Sequence, residues 1–160
     1  MNKVIINADE QEPPSWSKNA SRFAKKALDI LEYDRWELSV LFCGDKKIKK
    51  LNRQYRNKNE ATDILSFNLG ETVKNRGKET FLAGDIVISL DTLRKNAKYF
   101  KISFDEELRR LLIHGILHLS GMDHKTIKKN EPMLILQEKI LNKLKGTAII
   151  PQEKISENPF

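Results

Sequence analysis

The chain has 160 residues, 39% of them hydrophobic and 32% charged, which suits one domain with a buried core better than two. It carries a formal charge of +7 and a single cysteine, Cys43, and no apolar run approaches the roughly 18 residues that span a bilayer. These features exclude a disulfide-stapled scaffold and a helical membrane protein; with no signal-peptide pattern in MNKVIINADEQEPP, they point to a reducing, cytoplasmic setting.

KVIIN (3–7) reads as a short strand. After Pro13-Pro14, the residues Trp16, Ala20, Phe23, Ala24, Ala27, Leu28 and Leu31 recur at steps of three and four, which predicts an amphipathic helix. WELSVLFC (36–43) alternates Trp36, Leu38, Val40 and Phe42 as a half-buried strand does. Gly44-Asp45 turns the chain, with Asp45 placed to cap a helix whose apolar stripe is Ile48, Leu51 and Tyr55. DILSFNL (63–69) and AGDIVISL (83–90) are the next strands, separated by a polar loop, ETVKNRGKET, and Asp91 is placed to cap a helix through Phe100.

Ser103 and Glu106 have capping-box spacing at the head of the next helix. Asn130, Glu131 and Pro132 open the last one, which ends before Gly146. The expectation is a single α+β domain over residues 1–146, with a small mixed four-stranded sheet and about five helices. A C-terminal tail, 147–160, follows, its last residues expected to be mobile.

All three histidines lie in HGILHLSGMDH (114–124). His114 and His118 are four apart, so on a helix they share one face. At about 100° per residue from Leu108, the residues Leu112, Gly115 and Leu119 fall within about 40° of one direction, while the two imidazoles fall together on its flank, at roughly 240° and 280°. Gly121 ends the helix by accepting a left-handed backbone, and a turn there brings His124 back beside the other two. Three neutral nitrogens on a fixed frame, with a fourth position open, are what one divalent ion such as Zn²⁺ requires. Asp123 reads either as a hydrogen-bonding support for an imidazole or as a solvated turn residue.

The same spacing occurs in metzincin proteases, but those enzymes place a glutamate general base directly after the first histidine, and here that residue is Gly115. The ligand frame therefore indicates metal chemistry, while the missing carboxylate argues against peptide hydrolysis. No carboxylate base is identifiable in the pattern; Asp85, at a strand start, is a candidate, or else it only caps or pairs locally.

The positive charge is concentrated: residues 44–60 sum to +5, and 91–101 and 125–160 to +3 each. Lysine-rich faces are commonly just solvated, but three basic segments bracketing one candidate site favour a polyanionic partner. Lys46, Lys47, Lys49, Lys50, Arg53 and Lys58 are the candidate polyanion-contacting residues of the first segment.

HGILHLSGMDH, together with LNRQYRNKNEATDILSF (51–67) and AGDIVIS (83–89), resembles the YbeY family of endoribonucleases in order and spacing over roughly residues 36 to 144. Met122, Asn59 and Ala61 depart from the residues common in that family; none removes a candidate metal ligand, so they bear on substrate fit more than on activity. The resemblance implies a zincin-like α+β fold and zinc held by His114, His118 and His124. It also implies cleavage of single-stranded ribosomal RNA, in 3′-end maturation of the small-subunit RNA and in ribosome quality control, with the small ribosomal subunit and its assembly factors as partners. The family's arginine carries over to Arg56 as the catalytic cation. Two rival readings remain open: a zinc-containing ribosome-assembly factor that does not cut RNA, and a metallopeptidase.

Overall fold

A computed structural model of the chain describes residues 1–151. β1 (Lys3–Ala8) pairs in parallel with β2 (Trp36–Cys43), and β2 in parallel with β4 (Lys78–Ser89). β3 (Ile64–Asn75) runs antiparallel to β4 at the sheet's edge, giving the order β1-β2-β4-β3. Parallel neighbours need a crossover, and α1 (Ser17–Ile30) supplies the one between β1 and β2. The other helices are α2 (Asp45–Arg56), α3 (Leu90–Phe100), α4 (Phe104–Leu119) and α5 (Pro132–Lys143). The architecture is thus α+β, with a mixed four-stranded sheet and five helices among the described residues. No helix among them is long and apolar enough to cross a membrane.

The period-two alternation divides the sheet's residues between two faces of unequal size. Leu38, Val40, Phe42, Ile86 and Ile88 face the main core, where they join Phe23, Leu108, Leu112 and Ile116. Cys43, Leu65 and Val87 face the other way and pack with Ile48 beneath α2. The sheet is therefore buried on both faces near its centre, and α4 and α2 approach the β3 edge from opposite sides.

Three expectations are revised. The polar stretch 71–80 is not a loop: β3 and β4 continue through it as a two-stranded ribbon to Asn75 and Lys78. Its tip is Arg76-Gly77, both at positive φ (52° and 78°), as a tight hairpin turn demands. Solvent-exposed ladder pairs, including the Lys74–Glu79 ion pair at 3.6 Å, need no hydrophobic alternation, so the pattern that reveals half-buried strands is missing.

The two expected aspartate caps are exchanged. Asp45 is the first residue of α2, not its cap; its backbone N–H donates to the Asp91 carboxylate at 3.0 Å. The Asp45 carboxylate in turn accepts from Ser89 Oγ at 2.7 Å and Thr92 Oγ1 at 2.5 Å, while Ser89 itself caps α3. Two helix heads lie side by side, and each aspartate serves the other's helix. The packed chain also continues past residue 146: Ile149 and Ile150 are buried, and both backbone N–H groups donate to Asp105 Oδ1 at 2.8 Å. The last residues of the expected mobile tail, 152–160, lie outside the described residues.

Candidate metal centre and its cleft

α4 starts as its capping box predicts, with Ser103 Oγ accepting the Glu106 N–H at 3.0 Å. Three acidic residues in its first turn, Asp105, Glu106 and Glu107, oppose the positive end of the helix dipole. Midway along, Gly115 lies against β4, where a Cβ would come within 2.8 Å of Ile86 Cδ1. The missing side chain lets the helix settle onto the strand, and this sets His114 and His118 at the rim of the sheet. Gly121, at φ 99°, reverses the chain, with its N–H on His118 O at 3.0 Å.

The reversal brings His124 back, and the three rings stand 4.7, 5.2 and 5.4 Å apart, centroid to centroid. His114 Nε2 and His118 Nε2 are 3.1 Å apart. The candidate ligand atoms of all three histidines lie within 4.8 Å of one another. Each ring's other nitrogen is occupied by an oxygen: His114 Nδ1 by Gln137 Oε1 at 2.6 Å, His118 Nδ1 by Met122 O at 3.1 Å, and His124 Nδ1 by Thr126 O at 2.8 Å. A carbonyl oxygen only accepts, so each Nδ1 carries the proton and each Nε2 keeps a free lone pair. Burial lowers the pKa of His114, partly opposed by the Gln137 hydrogen bond, and burial followed by the neighbouring His114 and His124 lowers that of His118. Both are held in the neutral form that binds a metal. The donor set fits a divalent ion.

His114 and His118 line a cleft of about 490 Å³. Its opposite wall is the edge strand, through Ile64, Ser66 and Asn68, with Arg56 at the rim. Asn68 Nδ2 donates to His118 O at 3.0 Å, tying the strand to the C-terminal end of α4. Arg56 is the last residue of α2, and Asn57 caps it in the left-handed conformation. Its Nη2 donates to Ser66 O at 2.7 Å, and its guanidinium lies 5.1 Å from the Phe67 ring centroid. The cation thus reaches round the free edge of β3 into the cleft that holds the histidines.

The family model for endoribonuclease YbeY matches residues 4–145. The chain belongs to the endoribonuclease YbeY family. Among YbeY relatives, the protein from Treponema pallidum (strain Nichols) is 44% identical over 142 residues, 88% of this chain and 89% of that one. The Treponema denticola endoribonuclease YbeY is 41% identical, with 92% of this chain and 97% of that one covered. Among solved structures, the solution structure of TM1509 from Thermotoga maritima matches with a TM-score of 0.61 and 29% identity over 89% of each chain.

Of the residues singled out in the sequence, the fold brings Arg56, His114 and His118 to one cleft, with His124 beside the histidine pair. Lys58 shares a smaller neighbouring cavity with Arg56. Lys46, Lys49, Lys50 and Arg53 lie along α2. Lys47 is half-buried and ion-paired with Asp9 at 3.9 Å. Asp123 donates nothing to the metal frame; its Oδ1 accepts the His124 N–H at 2.8 Å and lies 4.0 Å from His118 Nδ1. Asp85 is not near the histidines. On β4 it points to the face opposite Gly84 and Ile86, which meet α4, and its carboxylate accepts from Ser39 Oγ.

Two residues that sequence reasoning missed stand beside the histidines. Gln137, which orients His114, is a polar residue in the buried stripe Met133, Gln137, Ile140, Leu141 of α5; that interruption was its signal. Asp63 has a carboxyl pushed up by burial, with His114 opposing the shift, and is held by Asn96 Nδ2 at 3.2 Å. Nothing in its local sequence distinguishes it from a turn aspartate.

Proposed function

We propose that this chain is a metal-dependent, single-strand-specific endoribonuclease. Its activity belongs to 3′-end maturation of small-subunit ribosomal RNA and to ribosome quality control, in the cytoplasm. The observation that carries the reading is the cluster of three oriented histidines, two of which line one open cleft together with an arginine. Zinc is the ion that three imidazoles and an open position suit best. When bound there, it supplies Lewis acidity toward a phosphoryl oxygen. Arg56, anchored by one N–H on Ser66 O, keeps further donors to fork onto the scissile phosphate and to stabilise charge as the bond breaks. Lys46, Lys47, Lys49, Lys50, Arg53 and Lys58 hold the flanking backbone.

Endoribonuclease is the name carried by the relatives above, and it agrees with the cleft better than either rival does. A peptidase would need a carboxylate base, and a side chain at position 115 would run into Ile86 rather than into the cleft. A purely structural zinc would be closed by a fourth protein ligand, whereas the cluster among the described residues has three histidines. The decisive experiment measures metal content and cleavage of single-stranded RNA on the same preparation, with and without chelator, for the natural chain and for His118→Ala. Cleavage that tracks metal content supports the reading. Full metal content in His118→Ala, or cleavage indifferent to chelator, overturns it.

A further inference from the structure

A second cavity, of about 470 Å³, opens behind the histidine cluster. Phe100, Ile102, Ile127 and Leu134 make its apolar wall, and Glu107, Arg110 and Gln137 its polar floor. Gln137 is a partition shared by both sites, because the side chain that lines this cavity also holds His114 Nδ1. The loop after His124 is shared too: Thr126 O accepts from His124 Nδ1, and the next residue, Ile127, lines the cavity. An occupant would lie about one side chain from the metal ligands.

The cavity combines three kinds of surface. Phe100 is 59% exposed and Tyr99 80%, their rings edge to face at 5.2 Å, and Ile127 is 89% exposed. Exposed lysines alternate with these apolar groups along the chain, Lys101 after the aromatic pair, Lys128 and Lys129 after Ile127. The floor holds Glu107, whose side chain is 6% exposed and whose ionic partner Arg110 is 3.5 Å away. Arg110 is closer to Glu138 at 3.0 Å and to Glu106 at 3.2 Å, so Glu107, which lines the cavity, is the least closely paired of its three carboxylate partners and keeps acceptor capacity.

Resting on the RNA reading of the histidine cleft, we propose that this second cavity receives an unstacked base of the single strand that flanks the scissile bond. The base lies on Phe100, its amino edge meets Glu107, and the neighbouring phosphates lie on the lysine rim. A base has an apolar face for the ring to cover and N–H groups at its edge for a buried acceptor. A basic protein segment would meet like charge at Arg110 and at the lysine rim, whereas a nucleotide suits the lysines with its phosphates and Glu107 with its amino edge. The carboxylate also sets a preference. Adenine and cytosine offer an exocyclic amino group, while the single N–H of uracil lies between two carbonyl oxygens that a carboxylate repels.

The test uses the full-length, metal-loaded protein with oligoadenylate and oligouridylate of equal length, and compares it with Phe100→Ala and Glu107→Gln. Oligoadenylate should bind the natural chain more tightly than oligouridylate. Phe100→Ala, a change at an exposed position, should weaken oligoadenylate binding about ten-fold or more at unchanged metal content. Glu107→Gln should narrow the gap between the two oligomers. Equal affinity for the two, or no loss in Phe100→Ala, overturns the base pocket. A Phe100→Ala variant that binds RNA normally but loses affinity for the small ribosomal subunit would make this a protein-docking surface, and that also overturns it. If the natural chain binds neither oligomer, the RNA reading of the histidine cleft fails first.

Discussion

Gly115→Ala tests whether close approach of α4 to β4 is what positions the histidines. The added Cβ would stand 2.8 Å from Ile86 Cδ1 and 3.0 Å from both Cγ1 and Cγ2. Comfortable carbon contacts begin at about 3.5 Å, so the helix must lift by roughly half an ångström or more, or Ile86 must leave its rotamer. At an unobstructed helix position the change would stabilise by about 1 kcal/mol, whereas overpacking costs about 1–3 kcal/mol. The expected net effect is a loss of up to about 2 kcal/mol, each kilocalorie lowering Tm by about 2–4 °C in a chain of this size. Lifting α4 also carries His114 and His118 away from His124, which sits on the loop, so zinc affinity should fall as well. Urea denaturation with chelator present separates stability from metal binding. Ile86→Val removes the 2.8 Å contact and keeps the two at 3.0 Å, so the double variant should recover part of the loss, with a coupling of about 0.5 kcal/mol or more. A Gly115→Ala protein that gains about 1 kcal/mol, as a free helix position would, refutes the reasoning. Strict additivity in the double variant does so as well.

Gln137→Leu removes the acceptor that orients His114 and should weaken zinc binding about 10–100-fold in a chelator competition, with little change in helix content; unchanged affinity would leave Gln137 only a packing role. Arg56→Ala and Arg56→Lys should both slow RNA cleavage at saturating RNA while metal content stays the same, because lysine keeps the charge but not the planar fork; a loss confined to affinity would make Arg56 a backbone-holding cation. Converting Lys46, Lys47, Lys49 and Lys50 to Gln should flatten the salt dependence of RNA binding by about 0.7 per lost phosphate contact, and an unchanged slope would mark this face of α2 as merely solvated. Burial pushes the Asp45 carboxyl up, but hydrogen bonds from Thr92, Ser89 and Lys95 outweigh it and hold the pKa below its ordinary 3.8. A depressed folded pKa contributes stability that is full above the unfolded value and is lost as pH falls through the folded one. The stability gap between the natural chain and Asp45→Asn should therefore be constant near neutrality and shrink on acidification below about pH 4, measured by denaturation. A pH-independent gap would show that those hydrogen bonds do not favour the charged form.

The histidine frame was legible in the sequence because every part of it is local. Helical periodicity pairs His114 with His118, Ser103 caps the helix, and Gly121 supplies the turn that returns His124, all within about two dozen residues. Most element positions followed from the same short-range patterns, and β2 matches its alternation from Trp36 to Cys43. What depends on pairing across the sheet was not legible. Alternation separates two faces of a strand but does not say which one meets α4, so Asp85 looked available until β4 turned it away from the histidines. The ribbon through residues 71–80 buries nothing and leaves no apolar signature. Arg56 enters the cleft only because β3 is the outer strand, with Ser66 O free to accept from it. Gln137 reaches His114 only because α5 docks beside α4, 23 positions further along the chain. Spacing along the chain gathered the three histidines; packing between distant segments decided what orients them and what faces them.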